Sequence, residues 1–352
     1  MSAATTARSD VALARFAERV GVHGPVTVVG GRTRWEVGGP VDPRARDVSP
    51  PTGVGEFIPA EMTVRVNAGT TVAELQAVVG EAGQRVVMAG PAGSTVGGTL
   101  AVGHSGLDRL GAGPLREVLL EATYISAEGR VVRVGGPTVK NVSGYDLCRV
   151  LVGSLGTIGF LGEVIMRTTP QPETSGWWSG SGEPTEIRAQ LHWPMSVLWD
   201  GTTTWVQLAG YEADVSAESA ILEREGLRSV KGPPTLPPHR WSLAPSELTG
   251  HDFGGRFVAE IGVGTVHAER PAPHRPADAV LTRLHRRLRA TFDPTGRLNP
   301  GRTVPGVDPG EPDASSDQRQ SSEPESTRPE PTRPEPTQPE PTQPESRGPE
   351  SS

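Results

Sequence analysis

Apolar positions at the start of the chain recur with the period of an α-helix. Leu13, Phe16 and Val20 lie three or four residues apart, and Gly21 follows the last of them. Glycine readily takes the left-handed conformation that ends many helices. The pattern therefore predicts a first helix that stops at Gly21.

The pattern over residues 63–83 indicates a strand followed by a helix. Residues 63–66 alternate polar and apolar side chains, as in a half-buried strand. Thr71 begins a Thr-x-x-Glu capping box, and Leu75 and Val79 then continue an apolar stripe. We expect this helix to extend to Gly83.

Other β-branched runs predict further strands, and glycine-rich stretches separate them. We expect strands at 26–29, 118–126 and 130–134, a strand that runs through Met166, a short helix after Asp146 and a basic helix over 278–292. Residues 89–106 contain too many glycines for a regular element and too many apolar side chains for a disordered linker. The stretch is expected to be an ordered, buried loop.

The last fifty residues differ in composition from the rest. Pentads that begin at Thr327, Thr332, Thr337 and Thr342 repeat the pattern Thr-Arg/Gln-Pro-Glu without a large apolar side chain. Such a segment cannot bury a hydrophobic core. Residues 303–352 are therefore expected to form a disordered tail with polyproline character.

The tail also carries the net charge of the chain. From Asp308 onward there are 11 acidic and 4 basic residues, and subtracting them from the 41 acidic and 34 basic residues of the whole chain leaves 30 of each sign. A neutral body lacks the clustered basic charge that drives nucleic-acid binding. We expect no nucleic-acid partner.

Cysteine usage and hydropathy exclude several kinds of protein. Cys148 is the single cysteine, so an internal disulfide and a cysteine-ligated zinc or iron–sulfur centre are excluded. No apolar run approaches the roughly 20 residues that span a bilayer, and the N-terminus has no hydrophobic signal core. The expectation is a cytoplasmic protein with no transmembrane segment.

Three glycine-rich loops could hold an anion through main-chain amides. They lie at residues 30–34, 93–106 and 153–159, after or between expected strands. Amides exposed at glycine-rich bends bind phosphate groups without needing a basic side chain. None of the loops has the spacing of a P-loop or of the dinucleotide motif Gly-x-Gly-x-x-Gly, which disfavours an ATPase or a Rossmann dehydrogenase. A nucleotide is the expected ligand.

Five segments in a characteristic order carry a family resemblance. They are VVGGRT, VNAGTTVAELQAVVGEAGQ, GSTVGGTLAVGHSG, VKNVSGYDLCRVLVGSLGTIGFLGEV and FDPTGRLNPGR. The chain resembles the vanillyl-alcohol-oxidase family of PCMH-type FAD-binding proteins, and within it the FAD-binding subunits of glycolate oxidases, over residues 24–302. The resemblance implies an α+β fold: a two-subdomain PCMH-type FAD-binding domain at 1–172 and a smaller α+β cap-like domain at 173–302, before the tail.

The resemblance also implies which residues meet the cofactor. It places the FAD diphosphate at the first loop and the start of the second, the ribityl chain or ring at the end of the second, and the adenosine half at the third loop and the strand after it. The implied residues are Gly30, Gly31, Arg32, Thr33 and Arg34; Gly93, Ser94, Thr95, Val96, Gly97, Gly98 and Thr99; Gly103, His104, Ser105 and Gly106; and Gly153, Gly156, Thr157, Ile158, Gly159 and Val164.

The expected second domain departs from the catalytic members that the resemblance suggests. Hydroxy-acid dehydrogenases of this fold share a strand His-x-Gly-Asp-Gly-Asn-x-His that helps to hold a metal, whereas residues 260–267 read Glu-Ile-Gly-Val-Gly-Thr-Val-His. Because only the second histidine, His267, is kept and the first His, the Asp and the Asn are replaced by Glu260, Val263 and Thr265, we expect no metal. His267 and Tyr145 are candidate catalytic residues, with simple packing as the alternative for both. Arg256 or Arg270 could bind a substrate carboxylate, unless each is merely solvated.

Covalent flavin attachment is not expected. Related oxidases attach the flavin through a histidine in the first loop, sometimes with a cysteine in the second, and neither position matches in this chain. His104 is interpreted as a polar contact or a bystander and Cys148 as buried packing. The cofactor is therefore expected to be non-covalent FAD.

The resemblance implies an FAD-dependent oxidoreductase, and the incomplete second-domain site favours an accessory role. We expect a flavin subunit of a complex that oxidises glycolate or another small 2-hydroxy acid. Its expected partners are a homologous catalytic flavin subunit and an iron–sulfur subunit, which could bring it to the membrane periphery. A stand-alone FAD-dependent 2-hydroxy-acid or alcohol dehydrogenase and a non-redox assembly subunit that keeps the fold are the alternatives.

Overall fold

A computed structural model describes residues 3–137, 147–273 and 278–304, with side chains from residue 9 onward. These residues all belong to one compact unit. The predicted tail beyond residue 304 and the segment that contains Tyr145 lie outside the described residues.

The described residues form the following helices and strands. The helices are α1 (Ala3–Val20), α2 (Val72–Gly80), α3 (Val96–Val102), α4 (Arg109–Ala112), α5 (Leu147–Leu151), α6 (Pro184–Gln190), α7 (Glu212–Arg224) and α8 (Ala279–Phe292). The strands are β1 (Val26–Val28), β2 (Arg46–Val48), β3 (Val54–Ile58), β4 (Thr63–Asn67), β5 (Gln84–Arg85), β6 (Leu119–Ile125), β7 (Val131–Gly135), β8 (Phe160–Arg167), β9 (Thr169–Pro170), β10 (Thr174–Gly180), β11 (Ser196–Trp199), β12 (Thr204–Gly210), β13 (Arg228–Val230), β14 (His239–Ser242), β15 (Phe257–Glu260) and β16 (Thr265–Ala268).

The predicted end of the first helix and the predicted start of the second helix are confirmed. Gly21 follows α1 with a φ of 62°, as the predicted helix end requires. At α2, the Thr71 hydroxyl accepts a hydrogen bond from the Glu74 N–H, and the Glu74 carboxylate accepts one from the Thr71 N–H. The capping box therefore starts the helix as predicted, although α2 ends at Gly80, before Gly83.

The prediction that residues 89–106 form no regular element was wrong, because α3 lies inside this stretch. Thr95 caps the helix by accepting a hydrogen bond from the Gly98 N–H. Val96 and Leu100 are completely buried. A Cβ atom at Gly97 would lie 2.7 Å from the Cβ of Ala68, so glycine allows the helix to approach the end of β4 closely. Tertiary packing outweighs the low helix propensity of glycine.

A five-stranded antiparallel sheet has the order β3-β4-β8-β6-β7. Its central strand β8 is buried from Phe160 to Met166. One face packs against α2, α3 and α5, and the other packs against α1 and β1 through Phe16 and Ile125. The predicted β6–β7 hairpin is confirmed. Strand β8 of this sheet directly follows the third glycine-rich loop, whereas the first loop follows β1, which pairs with β2 in a separate two-stranded sheet.

A seven-stranded antiparallel sheet follows, with the order β13-β10-β12-β11-β15-β16-β14. Its core includes Val206, Trp241 and Val266 and extends to Ile187 of α6 and Leu222 of α7. The division of the chain at residues 172 and 302 stays a prediction. None of the described helices is both long enough and apolar enough to cross a bilayer.

After α8 the chain returns to β1. Leu298 forms a parallel bridge with Val26. The Asn299 side-chain oxygen accepts hydrogen bonds from the Thr27 hydroxyl at 2.7 Å and the Val28 N–H at 3.0 Å, while its amide nitrogen donates to the Leu155 carbonyl. Asn299 thereby connects the first strand to the third glycine-rich loop.

Candidate cofactor-binding site

The loop after β1 presents a row of main-chain N–H groups. Within the part of the chain that the structure describes, the N–H groups of residues 30–34 meet no hydrogen-bond acceptor. Arg32 has a φ of 52°, in the left-handed region. A left-handed residue in such a loop turns neighbouring N–H groups toward one side, which creates a concave anion site. This loop can therefore bind a phosphate through its backbone.

The second loop lies directly against the first. A Cβ atom at Gly31 would lie 1.9 Å from the Gly93 carbonyl oxygen, and the hydroxyls of Thr33 and Ser94 lie 2.9 Å apart. The N–H groups of residues 96–99 all donate to acceptors within the protein. The second loop therefore shapes the site chiefly by close packing, and these four amides are already used.

The loops line a cleft with an empty volume of about 890 Å³, which includes the space open to solvent. Predicted residues that line it are Gly30, Gly31, Arg32, Thr33, Arg34, Thr95, Gly97, Gly98, Thr99, Gly156 and Gly159. Predicted residues that do not line it are Gly93, Ser94, Val96, Gly103, His104, Ser105, Gly106, Gly153, Thr157, Ile158 and Val164. The structure thus brings the first loop and parts of the other two together, and the assignment of each residue to FAD stays a prediction.

One side of the cleft is lined by arginine side chains stacked on a tryptophan ring, and the sequence did not predict this arrangement. The Trp35 ring lies between two guanidinium groups, with its centroid 4.9 Å from Arg32 and 4.7 Å from Arg302. Arg302 also donates hydrogen bonds to the carbonyls of Val37 and Gly39. Stacked arginines stabilise an aromatic ring in place. The final FDPTGRLNPGR segment was recognised in the sequence, but nothing there showed that Arg302 reaches the first loop.

A group of charged side chains lies on strands β14, β15 and β16. The His267 Nε2 atom lies 3.0 Å from the Glu260 Oε1 atom. Arg240 donates to the Thr265 hydroxyl at 3.0 Å, and its Nη1 atom lies 3.9 Å from the Glu260 carboxylate. The structure therefore places the candidate His267 in a polar group rather than alone at the end of a strand.

His104 is electrostatically coupled to the same group. Burial, reinforced by the positive charges of Arg240, Arg34 and His267, lowers the pKa of His104 to about 4. The imidazole is therefore uncharged at neutral pH. The N–H groups of residues 104–106 meet no acceptor among the described residues, so this turn can donate hydrogen bonds to a ligand.

The remaining candidates are placed as follows. Among the described residues, no three His, Cys, Asp or Glu side chains lie close enough together to hold a metal ion. Cys148 is buried in α5. Arg256 and Arg270 are exposed, whereas Arg240, which no sequence motif indicated, lies beside Glu260.

Comparison with known proteins identifies two matching domain families. A model described as an FAD binding domain matches residues 3–135, and a model described as the C-terminal domain of FAD linked oxidases matches residues 247–303. The cofactor of the chain is FAD, and the chain is an FAD-dependent oxidoreductase, as the sequence predicted.

The chain is similar to glycolate oxidase subunits. It is 28% identical over 323 residues to glycolate oxidase subunit GlcE of Escherichia coli (strain K12), covering 79% of this chain and 92% of that protein. It is 41% identical over 81 residues to glycolate oxidase subunit GlcD of Bacillus subtilis (strain 168), covering 23% of this chain but only 17% of that protein. The likeness to GlcE therefore extends over nearly the whole relative, and the likeness to GlcD is local.

The fold is shared with a solved structure. Alkyldihydroxyacetonephosphate synthase superposes with a TM-score of 0.57 at 13% identity, covering 83% of this chain and 74% of that one. At this identity the likeness concerns the fold alone. The predicted α+β PCMH-type fold is confirmed.

The residues that line the cleft fit FAD. The free N–H groups of residues 30–34 suit an anionic diphosphate. Leu151, Leu155 and Phe160 add an apolar wall that suits a flat ring system. A side chain at Gly31 would clash with the Gly93 carbonyl oxygen and force the first two loops apart, so glycine at this position keeps the shape of the cleft.

Proposed function

We propose that this chain is the flavin-carrying accessory subunit of a complex that oxidises glycolate or another small 2-hydroxy acid. One observation carries the proposal: the chain combines an anion-binding cleft that fits FAD with the strand pair β15 and β16, which keeps one histidine of the metal-binding pattern, His267, and has Glu260 at the other position. The similarity to GlcE over 92% of that protein supports it.

The residues of the chain have distinct tasks in this proposal. Bound FAD supplies a ring that accepts a hydride from an alcohol carbon. The N–H groups of residues 30–34 hold the diphosphate, and the stacked Trp35 stiffens that loop. His104, neutral at physiological pH, can form hydrogen bonds without adding positive charge to the site. We propose that the FAD is held without a covalent bond.

The proposal includes a homologous catalytic flavin subunit and an iron–sulfur subunit as partners, and a cytoplasmic location from which these partners reach the membrane periphery. A stand-alone FAD-dependent 2-hydroxy-acid dehydrogenase is the second candidate function. It is favoured by the charged group that Arg240, Glu260 and His267 form.

Expression of the full chain alone and together with the two partner subunits tests the proposal. The expected result is a yellow chain that releases its flavin on acid precipitation, copurifies with both partners, and sustains glycolate oxidation only in the complex. Sustained turnover by the isolated chain with an artificial electron acceptor would establish the second candidate. A colourless chain that gains no thermal stability from added FAD would contradict the flavin role itself.

A further inference from the structure

Helix α8 buries only a small part of its surface against the rest of the chain. The structure describes all of its 14 residues, and Thr282 is the one that is buried. Val280, Leu281 and Leu284 are 66%, 46% and 53% exposed. A helix of this length depends for most of its stability on packing an apolar face against other elements. The first half of α8 therefore presents apolar side chains that the described chain leaves uncovered.

These side chains form one apolar stripe along α8. Leu281, Leu284 and Leu288 are three and four residues apart, and Val280 precedes Leu284 by about one turn. Residues at these spacings lie on the same face of a helix. Leu288 is half-buried, and Phe292, about one turn further, packs against the core of the five-stranded sheet. The stripe is therefore covered at its end and exposed at its start, with the spacing by which helices dock into grooves.

The exposed part of α8 is also positively charged. Residues 279–292 contain four arginines and no acidic residue. The acidic residues at the two ends are already used, because the carboxylates of Asp278 and Asp293 accept hydrogen bonds from main-chain N–H groups. Arg283 and Arg287 are exposed and have no ion-pair partner among the described residues. A surface that covers the apolar stripe is therefore expected to carry carboxylates.

Two other surfaces fit α8 less well than an acidic protein does. If α8 lay on the two-fold axis of a symmetric dimer, its arginines would come close to the same arginines of the second copy, and like charges repel. Helices that lie on a membrane surface usually carry Trp or Phe beside their leucines. Helix α8 has no Trp or Tyr, and its one Phe, Phe292, packs against the core. The charges and the side-chain types thus favour a different protein chain.

We infer that the first half of α8 docks into an apolar groove, rimmed by carboxylates, on a partner subunit of the proposed complex. Val280, Leu281 and Leu284 fill the groove, and Arg283 and Arg287 pair with the carboxylates of its rim. The inference rests on the proposed function, because the partner is one of the two subunits named there.

Binding of the full, FAD-loaded chain to the purified pair of partner subunits tests this surface, with the Kd measured by biolayer interferometry. Leu284→Ser is expected to weaken binding by about 4- to 15-fold, because about half of the Leu284 side chain is available for burial. Arg283→Gln combined with Arg287→Gln is expected to weaken binding and to reduce its dependence on salt concentration. The corresponding double lysine variant keeps the charges and is expected to retain the salt dependence.

Matched variants separate docking from folding. Val11→Ser is the control, because Val11 is an apolar residue of α1 with the same 53% exposure as Leu284. It is expected to bind the partner subunits like the unmodified chain. Val280→Ser changes a second exposed position of the stripe and is expected to weaken binding independently of Leu284→Ser. Flavin content and thermal unfolding should be the same in all these variants, since each replaces an exposed side chain.

Several results would overturn the inference. If the unmodified chain binds the partner subunits, and Leu284→Ser and Val280→Ser bind them equally well, the inference is wrong and the proposed function stands. The same holds if Val11→Ser weakens binding as much as Leu284→Ser. If Leu284→Ser instead abolishes dimerisation of the isolated chain, or its sedimentation with phosphatidylglycerol and phosphatidylcholine vesicles, while partner binding persists, the stripe binds a second copy or a membrane. A chain that binds neither partner subunit refutes both the inference and the proposed complex.

Discussion

Replacing Gly31 with alanine tests the contact between the first two loops. The new Cβ atom would lie 1.9 Å from the Gly93 carbonyl oxygen and 2.9 Å from its carbonyl carbon. Real Cβ atoms essentially never approach another atom within 3.0 Å, so the loops must separate by at least the difference between 3.0 and 1.9 Å, which is 1.1 Å. The obstacle is backbone on both sides, and no side-chain rotation relieves it.

The cost follows from the behaviour of overpacked sites. Adding a methyl group to a closely packed site typically destabilises a protein by about 1–3 kcal/mol. If the strain falls on the conformation that holds FAD, the affinity for FAD decreases by about 5- to 150-fold, because each 1.4 kcal/mol corresponds to a factor of ten. Titration of the deflavinated variant with FAD, with thermal unfolding measured in parallel, gives both quantities.

Gly210→Ala is the matched control. Gly210 ends β12, a Cβ atom there would have no neighbour within 4 Å, and its φ is not positive. This variant should bind FAD and unfold like the unmodified chain. If Gly31→Ala is indistinguishable from Gly210→Ala in both measurements, the close packing of the two loops does not define the cofactor site.

Three further predictions concern stability. Asn299→Ala removes three buried side-chain hydrogen bonds and should lower the free energy of unfolding in denaturant by about 3 kcal/mol, at about 1 kcal/mol for each bond; a loss below about 1 kcal/mol would contradict this. His104 stays neutral in the folded chain down to about pH 4 but protonates near its ordinary pKa of 6.5 when unfolded, so the unfolded chain binds more protons in this window and stability falls as the pH drops through it. His104→Asn should flatten that fall, and a pH profile identical to that of the unmodified chain would refute the assignment. Thr71→Ala breaks the capping box of α2 and should cost about 0.5–2 kcal/mol in thermal unfolding, whereas an unchanged midpoint would show that the cap is dispensable.

Features that depend on residues adjacent in the sequence were predictable from the sequence. The helix end at Gly21, the capping box at Thr71 and the β6–β7 hairpin each depend on a few adjacent residues, and the structure contains all of them. Helix α3 was not predictable in this way, because its stability comes from burial of Val96 and Leu100 against other elements. Local propensity opposes that helix, and tertiary packing decides it.

The candidate site was likewise predictable only where it depends on residues adjacent in the sequence. Glycine-rich sequence indicated the loops, but it could not distinguish amides that are free, as at residues 30–34, from amides already bonded within the protein, as at residues 96–99. Arg240 lies in an ordinary strand, and only the pairing of β14 with β16 brings it next to His267. Such positions depend on register, which short sequence motifs do not encode.

The link from Asn299 to Thr27 bridges 272 positions of sequence, and this separation affects how the protein is made. At about 5–20 residues per second, a ribosome needs roughly 15 to 55 s to deliver the second partner after the first. Until Asn299 is synthesised, its hydrogen bonds to Thr27 and Leu155 beside the cleft cannot form. We therefore expect a chain to bind FAD only after its residues up to Asn299 have been synthesised. Truncated products are then expected to be colourless, unlike the full-length protein.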